Sequence, residues 1–240
     1  MDNDFKKIYQ KYFSDYEPLD AFLFHAQEEL KGISLMGKKV LEIGCGRGAF
    51  SIYMALSGNA EKVIALDEAE GFGSDGRYFH QLGEIIHKYA ISNLDTRKAD
   101  ITKTSFPENT LDLIVANFSI HHVIRSSGYI FKDTKAQKDI INLFESLNRY
   151  LKEGGQIVLR EMSRINFWRF MPYQWKMSHI DWEIHPTLKE WLWVLTTSGL
   201  KDISYAFLTP YFLSKWPSRM IRNRFSNFFF SSSFYLYGKK

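Results

Sequence analysis

The middle of the chain alternates between short apolar runs and helical stretches, and this rhythm restricts the fold more than any other feature. The apolar runs are KVLEI, KVIALD, LDLIVAN and QIVLRE. Between them lie stretches of helical periodicity, such as KAQKDIINLFESLNRYLKEGG, whose two glycines predict the end of a long amphipathic helix. Strands and helices that alternate at these lengths form β-α-β units with parallel strands and a helix layer on each face. The sequence therefore predicts an α/β fold built on a mostly parallel sheet.

The alternation covers residues 38–161 and divides the chain into parts. Residues 1–36 have the periodicity of two helices and are predicted to form an N-terminal cap. Residues 162–186 and 209–231 are aromatic insertions without a clear period, which we interpret as a lid over the substrate. Because the length suits one α/β core and no stretch resembles a linker, we predict a single domain over residues 1–240.

The composition excludes several classes of protein. No run of about 18 apolar residues is present, so a transmembrane helix is not expected, and the first residues lack the plan of a signal peptide. Cys45 is the only cysteine, which excludes a disulfide framework and a cysteine-based zinc site. These features predict a cytoplasmic protein, and the net charge of +4 is too small to argue for a nucleic-acid partner.

Three glycines, Gly44, Gly46 and Gly48, follow the first predicted strand at alternate positions and open a helix. Backbone without side chains at that point lets a ligand approach the sheet edge and the helix N-terminus. The spacing differs from the GxGxxG of dinucleotide-binding proteins, and no Gly-Lys-Ser/Thr follows as in a P-loop. Glu42, just before the glycines, would repel a pyrophosphate and suits a ligand that carries an ammonium group.

Two more acidic residues end later strands of the same predicted sheet. Asp67 closes the run VIALD, where a carboxylate can accept hydrogen bonds from both hydroxyls of a ribose. Asp100 follows the third strand, where a carboxylate can accept from the amino group of an adenine. The predicted ligand therefore has an adenine, a ribose and a cationic amino-acid-like end, and it has no phosphate.

These segments resemble one family, the class I S-adenosylmethionine-dependent methyltransferases, and most closely its small-molecule, methyltransferase-domain-11-like branch. EIGCGRG matches the first motif of the family and VIALD its second-strand acid. KADITKTSFPENTLDLIVANFSIHHV and LNRYLKEGGQIVLRE look like its adenine-site acid and its fourth and fifth strands. The likeness covers roughly residues 38–161, the last helix and two strands. It implies an enzyme that uses S-adenosyl-L-methionine, with a Rossmann-like, mostly parallel seven-stranded sheet whose last strand is antiparallel.

The resemblance also implies roles for individual residues. The glycines would frame the methionine part of the cofactor, which Glu42 would orient, and Asp67 would hold the ribose. Asp100 and the backbone of Ile101 would hold the adenine, while the end of the fourth strand would line the face where the methyl group is transferred. The predicted cofactor site consists of Glu42, Gly44, Cys45, Gly46, Gly48, Asp67, Glu68, Asp100, Ile101, Asn117 and Phe118.

The segment after the fourth strand narrows the type of methyl transfer. The run NFSI lacks the prolines found in methyltransferases of exocyclic amino groups. Methylation of pyrimidine C5 needs a second, nucleophilic cysteine, which is absent, and Cys45 is interpreted as a packed residue. No acidic residue follows the run until Asp133, so we predict no metal site and a metal-independent transfer.

His121 and His122 stand one turn beyond this strand and are the candidates for a catalytic base, with His122 preferred. A histidine can take the proton of an acceptor hydroxyl at neutral pH. Two alternatives stay open: the pair only opens a helix, or alignment of the acceptor suffices and no base is used. His179, His185 and Tyr173 in the first insertion are rival candidates.

The insertions and the N-terminal cap are predicted to surround the acceptor. Aromatic side chains bury large areas and stack on flat ligands, but an equal alternative is that these residues only close the edge of the core. The residues predicted to contact the acceptor are Tyr16, Trp168, Tyr173, His179 and His185. We therefore expect a small-molecule or lipid-linked acceptor that is methylated at oxygen.

Residues 209–231 combine arginines with a cluster of phenylalanines, and three interpretations stay open. The favoured one is a solvated arginine face over a buried phenylalanine core, or a homodimer contact. The second is a peripheral contact with anionic lipid, and the third is contact with RNA. For the whole chain, the alternative functions are an RNA or protein methyltransferase, and a non-catalytic subunit that binds S-adenosylmethionine.

Overall fold

The computed structural model describes residues 2–70, 76–123, 133–171, 180–215 and 222–240. Within these ranges the chain forms one seven-stranded sheet with helices packed around it. The predicted α/β fold is therefore confirmed.

The strands of the sheet are β1 (Lys39–Ile43), β2 (Lys62–Asp67), β3 (Leu94–Lys98), β4 (Leu111–Asn117), β5 (Leu151–Met162), β6 (Lys201–Phe207) and β7 (Ser233–Lys239). Their order across the sheet is β3-β2-β1-β4-β5-β7-β6. The first five strands pair in parallel, and β7 runs antiparallel to both of its neighbours, as predicted for the last strand. The direction of the strand order reverses between β1 and β4, and ligands of open α/β sheets bind at the carboxyl ends of strands beside such a reversal.

The main helices are α1 (Asn3–Tyr12), α2 (Leu19–Glu29), α3 (Ala49–Leu56), α4 (Gly76–Lys88), α5 (Ile120–Val123), α6 (Thr134–Tyr150) and α7 (Leu188–Thr197). A capping box begins α7, because the Thr187 side chain accepts from the Glu190 backbone and the Glu190 side chain accepts from the Thr187 backbone. In the described ranges, no helix combines the length and apolarity needed to cross a membrane.

Each face of the sheet has its own hydrophobic core. Successive strand residues point to opposite faces, so Val40 lies in a core with residues of α1 to α4, while Leu41 lies in a second core with residues of α6 and α7. Both faces of the sheet are therefore covered, which explains why its central strands are apolar throughout.

Aromatic contacts hold the N-terminal cap on the rest of the domain. Phe5 of α1 meets Tyr53 of α3 edge-on, with ring centroids 5.4 Å apart, and Tyr9 lies 4.8 Å from Phe22 of α2. Such pairs contribute about 0.5–1.5 kcal/mol each beyond the burial of their surface. The cap is thus part of the first core and is fixed near the carboxyl ends of the strands.

One predicted boundary is wrong. The sequence predicts that the amphipathic helix runs through LKEGG, but α6 ends at Tyr150 and β5 begins at Leu151. Leu151 is fully buried in an extended conformation and pairs with Leu111 of β4, so packing and strand pairing override the helical periodicity there. Gly154 has a φ of +74° within a local irregularity of the strand, so the glycines mark a bend in β5 and not the helix end.

Candidate active site

A cavity of about 700 Å³ lies at the carboxyl ends of β1, β2 and β4, between these strands and the N-terminal cap. Ten of the eleven residues predicted to bind the cofactor line it, together with His122. The cavity lies beside the reversal of strand order, where open α/β sheets bind their ligands. Residues that are far apart in the sequence therefore meet at one site.

Asp100 is the exception, because its side chain is engaged by its own backbone turn. Its carboxylate accepts hydrogen bonds from the Thr102 backbone N–H at 2.9 Å and the Thr102 hydroxyl at 2.7 Å, and it pairs with Lys103 at 3.0 Å. These bonds hold the short 3-10 turn that begins at Ile101, and Ile101 lines the cavity. Contact of the Asp100 carboxylate with an adenine stays a prediction.

The three glycines form a tight turn that only glycine tolerates. Gly44, Gly46 and Gly48 all have left-handed φ values, of +72°, +52° and +84°. A Cβ atom on Gly44 would lie 2.9 Å from the Ser119 hydroxyl oxygen, and one on Gly48 would lie 2.5 Å from Leu82. No atom lies within 4 Å of the corresponding position at Gly46. The outer glycines therefore serve packing, and Gly46 leaves open space beside the backbone that a ligand can occupy.

Asp67 ties the glycine turn to the end of β2. One carboxylate oxygen accepts a hydrogen bond from the Gly46 backbone N–H at 2.9 Å, and the other accepts from the Ala69 backbone N–H at 2.8 Å. A carboxylate oxygen can accept two hydrogen bonds, so both oxygens keep capacity for the hydroxyls of a ribose. This arrangement fits the ligand that the sequence predicts.

Glu42 lies beneath the turn and is only 2% exposed. The pKa of Glu42 is raised to about 8, mainly by burial and with smaller contributions from the nearby Glu29 and Asp67, while a hydrogen bond from the Ser51 hydroxyl opposes the shift. The side chain is therefore mostly protonated at neutral pH when no cation is near. An ammonium group in the cavity would favour the charged form and lower this pKa.

Replacing Glu42 by glutamine should change how stability depends on pH. A carboxyl group whose pKa is higher in the folded state stabilises the protein below its ordinary pKa of about 4.5, and this contribution is lost as pH rises through 8. The free energy of unfolding of the wild type should therefore fall between pH 5 and pH 9 by on the order of 3 kcal/mol more than that of Glu42→Gln. Urea unfolding at both pH values measures the difference.

The exposed Glu61 provides the control for this comparison, since Glu61→Gln should leave the pH profile of the wild type unchanged. Parallel profiles for the wild type and Glu42→Gln would show that Glu42 is ionised in the folded protein.

The two candidate bases occupy different environments. His122 lines the cavity, whereas His121 is buried behind it, with its Nδ1 2.7 Å from a carboxylate oxygen of Glu161. The His121 ring contacts His122, with centroids 4.0 Å apart, and His185, with centroids 4.1 Å apart. Burial, assisted by the two neighbouring imidazoles, lowers the pKa of His185 to about 3. Of the predicted pair, His122 is the one that the cavity reaches.

The residues predicted to contact the acceptor do not all line the cavity. Tyr16 lines the cavity and is 81% exposed, on a wall that it shares with other aromatic residues of the N-terminal cap. Trp168 lies in the 3-10 turn Phe167–Phe170, and neither it nor His185 is part of the cavity wall formed by the described residues. Tyr173 and His179 lie outside the described residues.

Two arginines at the cavity escaped the sequence analysis. Arg47, inside the glycine turn, donates hydrogen bonds to the Asp15 carboxylate and, at 2.7 Å, to the Tyr12 carbonyl oxygen. Arg160 lies over the Phe118 ring, 4.8 Å from its centroid. Only Arg160 could have been predicted from the sequence, because it is a charged residue at the carboxyl end of a buried strand, β5, which lies beside β4. Arg47 occupies a position between two glycines that carries no signal of its own.

The second insertion packs on its own chain in its described part. Arg222 forms an ion pair with Glu28 of α2, and Phe229 lies 5.2 Å from Phe167. Arg219 lies outside the described residues. The predicted buried phenylalanine core is not found here, because Phe225 is 71% exposed, Phe230 is 49% exposed, and Phe228 and Phe229 are only partly buried. Contacts with lipid, RNA or a second copy stay predictions.

Comparison with known proteins identifies the family. The sequence family described as "Methyltransferase domain" matches residues 41–159, which hold the glycine turn, Asp67 and the histidine pair. A solved S-adenosylmethionine-dependent methyltransferase from Aquifex aeolicus has a similar fold, with a TM-score of 0.61 at 18% identity over 98% of this chain and 97% of that one. This chain belongs to the class I S-adenosylmethionine-dependent methyltransferases. The matched domain is that of enzymes whose cofactor is S-adenosylmethionine.

Two curated relatives show which acceptors occur among similar methyltransferases. The demethylmenaquinone methyltransferase of Bacillus subtilis is 21% identical over 217 residues, which cover 85% of this chain and 84% of the relative. The phosphoethanolamine N-methyltransferase 3 of Arabidopsis thaliana is 27% identical over 129 residues, or 53% of this chain. The match spans only 22% of the length of that plant protein.

Proposed function

We propose that this methyltransferase methylates a hydroxyl oxygen of a small-molecule or lipid-linked acceptor, with no metal ion taking part in the transfer. The observation that carries the proposal is the cavity itself, in which His122 and an aromatic wall share one space with the glycine turn and Asp67. A volume of about 700 Å³ is within the usual range for sites that enclose drug-sized ligands.

The cofactor end of the cavity is assigned to residues of β1, β2 and the turns that follow them. The backbone at Gly46 would lie along the methionine part, and the Asp67 carboxylate would accept hydrogen bonds from the ribose hydroxyls. Glu42 would become charged and attract the ammonium group. Ile101 would contact the adenine, with Asp100 holding its turn in place.

The chemistry then needs alignment and the removal of one proton. S-adenosylmethionine supplies a methyl group that its sulfonium sulfur already activates for attack. His122 would accept the proton of the acceptor hydroxyl as the oxygen forms its new bond to carbon. The His121 ring, itself held by Glu161, supports the His122 ring from behind.

The aromatic part of the cavity wall favours an acceptor with a ring. Tyr9, Phe13, Tyr16 and Phe22 line it, and all four belong to the N-terminal cap. Aromatic walls stack on flat ligands and bury their apolar surface. The name of the full-length relative, which specifies demethylmenaquinone, supports an acceptor of this kind.

Methyl transfer from S-adenosylmethionine with a tritium-labelled methyl group tests the proposal. The acceptors offered are a simple phenol, a quinol that carries an isoprenoid chain, and phosphoethanolamine. We expect label on a hydroxyl oxygen of one of the first two, with equimolar S-adenosylhomocysteine. Because a positioned base contributes about 10²–10⁴-fold, His122→Ala should lower kcat by that factor and change the Kd for the cofactor by less than threefold.

The exposed His80 of α4 is the matched control, since His80→Ala should keep the wild-type kcat. Label on carbon or nitrogen would refute the oxygen specificity. Cofactor binding without turnover on any of these acceptors would instead support the non-catalytic subunit. Transfer of label to RNA or protein, offered in a parallel assay, would support an RNA or protein methyltransferase.

A further inference from the structure

Three buried side chains from distant parts of the sequence meet behind the cavity. They are His121 of α5, Glu161 of β5, and His185, which lies just before α7. Each offers one atom able to bind a metal ion, and these atoms all lie within 4.8 Å of one another. Their residues are 4%, 0% and 4% exposed, in the same order. The cluster is therefore closed off from bulk water.

The cluster is incompletely hydrogen-bonded within the protein. Glu161 Oε2 lies 2.7 Å from His121 Nδ1, but Glu161 Oε1 has no hydrogen-bond partner, and neither does His185 Nδ1. Buried polar atoms are almost always paired, and an unpaired carboxylate oxygen in the interior is particularly costly. Two such atoms in one small cluster point to a missing group that interacts with both.

We propose that His121, Glu161 and His185 bind one divalent transition-metal ion, and that zinc suits this donor set best. Imidazole nitrogen and carboxylate oxygen are ordinary zinc ligands, whereas magnesium and calcium prefer sites made of oxygen alone. Zinc–ligand bonds of about 2.0–2.1 Å in a tetrahedron place ligand atoms about 3.4 Å apart. The widest separation in the observed cluster would have to shrink by no more than about 1.5 Å, and the hydrogen bond between His121 Nδ1 and Glu161 Oε2 would give way to the ion.

The position of the cluster assigns the ion a structural role. It would join α5, β5 and the segment that precedes α7, none of which is adjacent to another in the sequence. It would also fix the His121 ring against which His122 packs. Since His121 and His185 are not part of the described cavity wall, the ion would order the wall behind His122 and leave the transfer step metal-independent.

The test begins with protein stripped of metal by a chelator and then titrated with zinc in a calorimeter. We expect one ion per chain, and Glu161→Gln and His185→Gln should each weaken binding by at least tenfold. His25→Gln is the matched control. His25 also pairs with a carboxylate, at 2.9 Å from Glu17, but no third ligand joins them among the described residues. Its loss should leave zinc affinity unchanged.

Cobalt provides a second readout, because a buried site with two imidazoles gives visible absorption that adventitious surface binding does not. Zinc at a hundredfold excess over its Kd should raise the Tm of the wild type by about 5 °C or more, and that of Glu161→Gln by much less. Circular dichroism and cofactor titration show whether each variant is folded. The proposal is overturned if the stripped wild type binds no stoichiometric zinc, or if both variants bind it as the wild type does.

Discussion

Asp67→Ala should weaken S-adenosylmethionine binding by about a hundredfold or more. The substitution removes the proposed acceptor for the ribose hydroxyls and both hydrogen bonds that anchor the backbone at Gly46 and Ala69. Hydrogen bonds to a charged group contribute about 1.5–3 kcal/mol each, and a loss of about 2.7 kcal/mol already corresponds to a hundredfold change in Kd. Isothermal titration calorimetry with the cofactor gives the Kd directly, and a parallel titration with NAD should show no binding.

Two variants separate the causes of this loss. Asp95 lies on the neighbouring strand β3, where it pairs with Lys62 at 2.7 Å and is half-exposed, so Asp95→Ala should bind the cofactor like the wild type. Asp67→Asn keeps one acceptor oxygen and should fall between the wild type and Asp67→Ala. If Asp67→Ala binds within threefold of the wild type, the ribose is held elsewhere and the assignment of the cavity is wrong.

Gly44→Ala should destabilise the protein by about 2–5 kcal/mol and impair cofactor binding. A left-handed φ costs a residue with a Cβ atom about 1–2 kcal/mol, and Gly44 has a φ of +72°. The added methyl group would also overlap the side chain of Ser119, and overpacking of this kind typically adds about 1–3 kcal/mol. Because Ser119 donates a hydrogen bond to the Ile43 carbonyl at 2.7 Å, it cannot move away without losing that bond. Urea unfolding measures the change.

Gly37 allows the two costs to be separated. Its φ of +69° is nearly the same, but no atom lies within 4 Å of the position that a Cβ atom would take. Gly37→Ala should therefore lower the free energy of unfolding only by the cost of the left-handed backbone conformation, about 1–2 kcal/mol. Equal losses of stability in the two variants would show that Ser119 adjusts freely and that close packing does not restrict residue 44 to glycine.

The cofactor side of the site could be predicted because its elements are local. A buried strand, a glycine turn and an acidic residue at the next strand end are each readable from a few neighbouring residues, and parallel pairing then brings them to one edge. The end of α6 could not be read in this way. Leu151 continues the helical periodicity, and only its pairing with Leu111 reveals that it starts a strand.

The buried cluster of His121, Glu161 and His185 could not be predicted from local sequence. The sequence predicts no metal site because no acidic residue soon follows β4, and the proposed zinc site is the alternative to that prediction. Glu161 and His185 reach His121 through the pairing of β5 with β4 and the return of the chain towards α7. No short sequence pattern predicts that these three residues contact one another. The division of the chain into cap, core and insertions, and the cytoplasmic location, stay predictions.

Arg47 connects the glycine turn to the N-terminal cap. Its backbone belongs to the glycine turn, and its guanidinium group donates hydrogen bonds to the Asp15 carboxylate and to the Tyr12 carbonyl oxygen at the end of α1. A shift of the first helix would therefore strain the hydrogen bonds that Arg47 makes. We expect the position of the N-terminal cap and the conformation of the glycine turn to depend on each other.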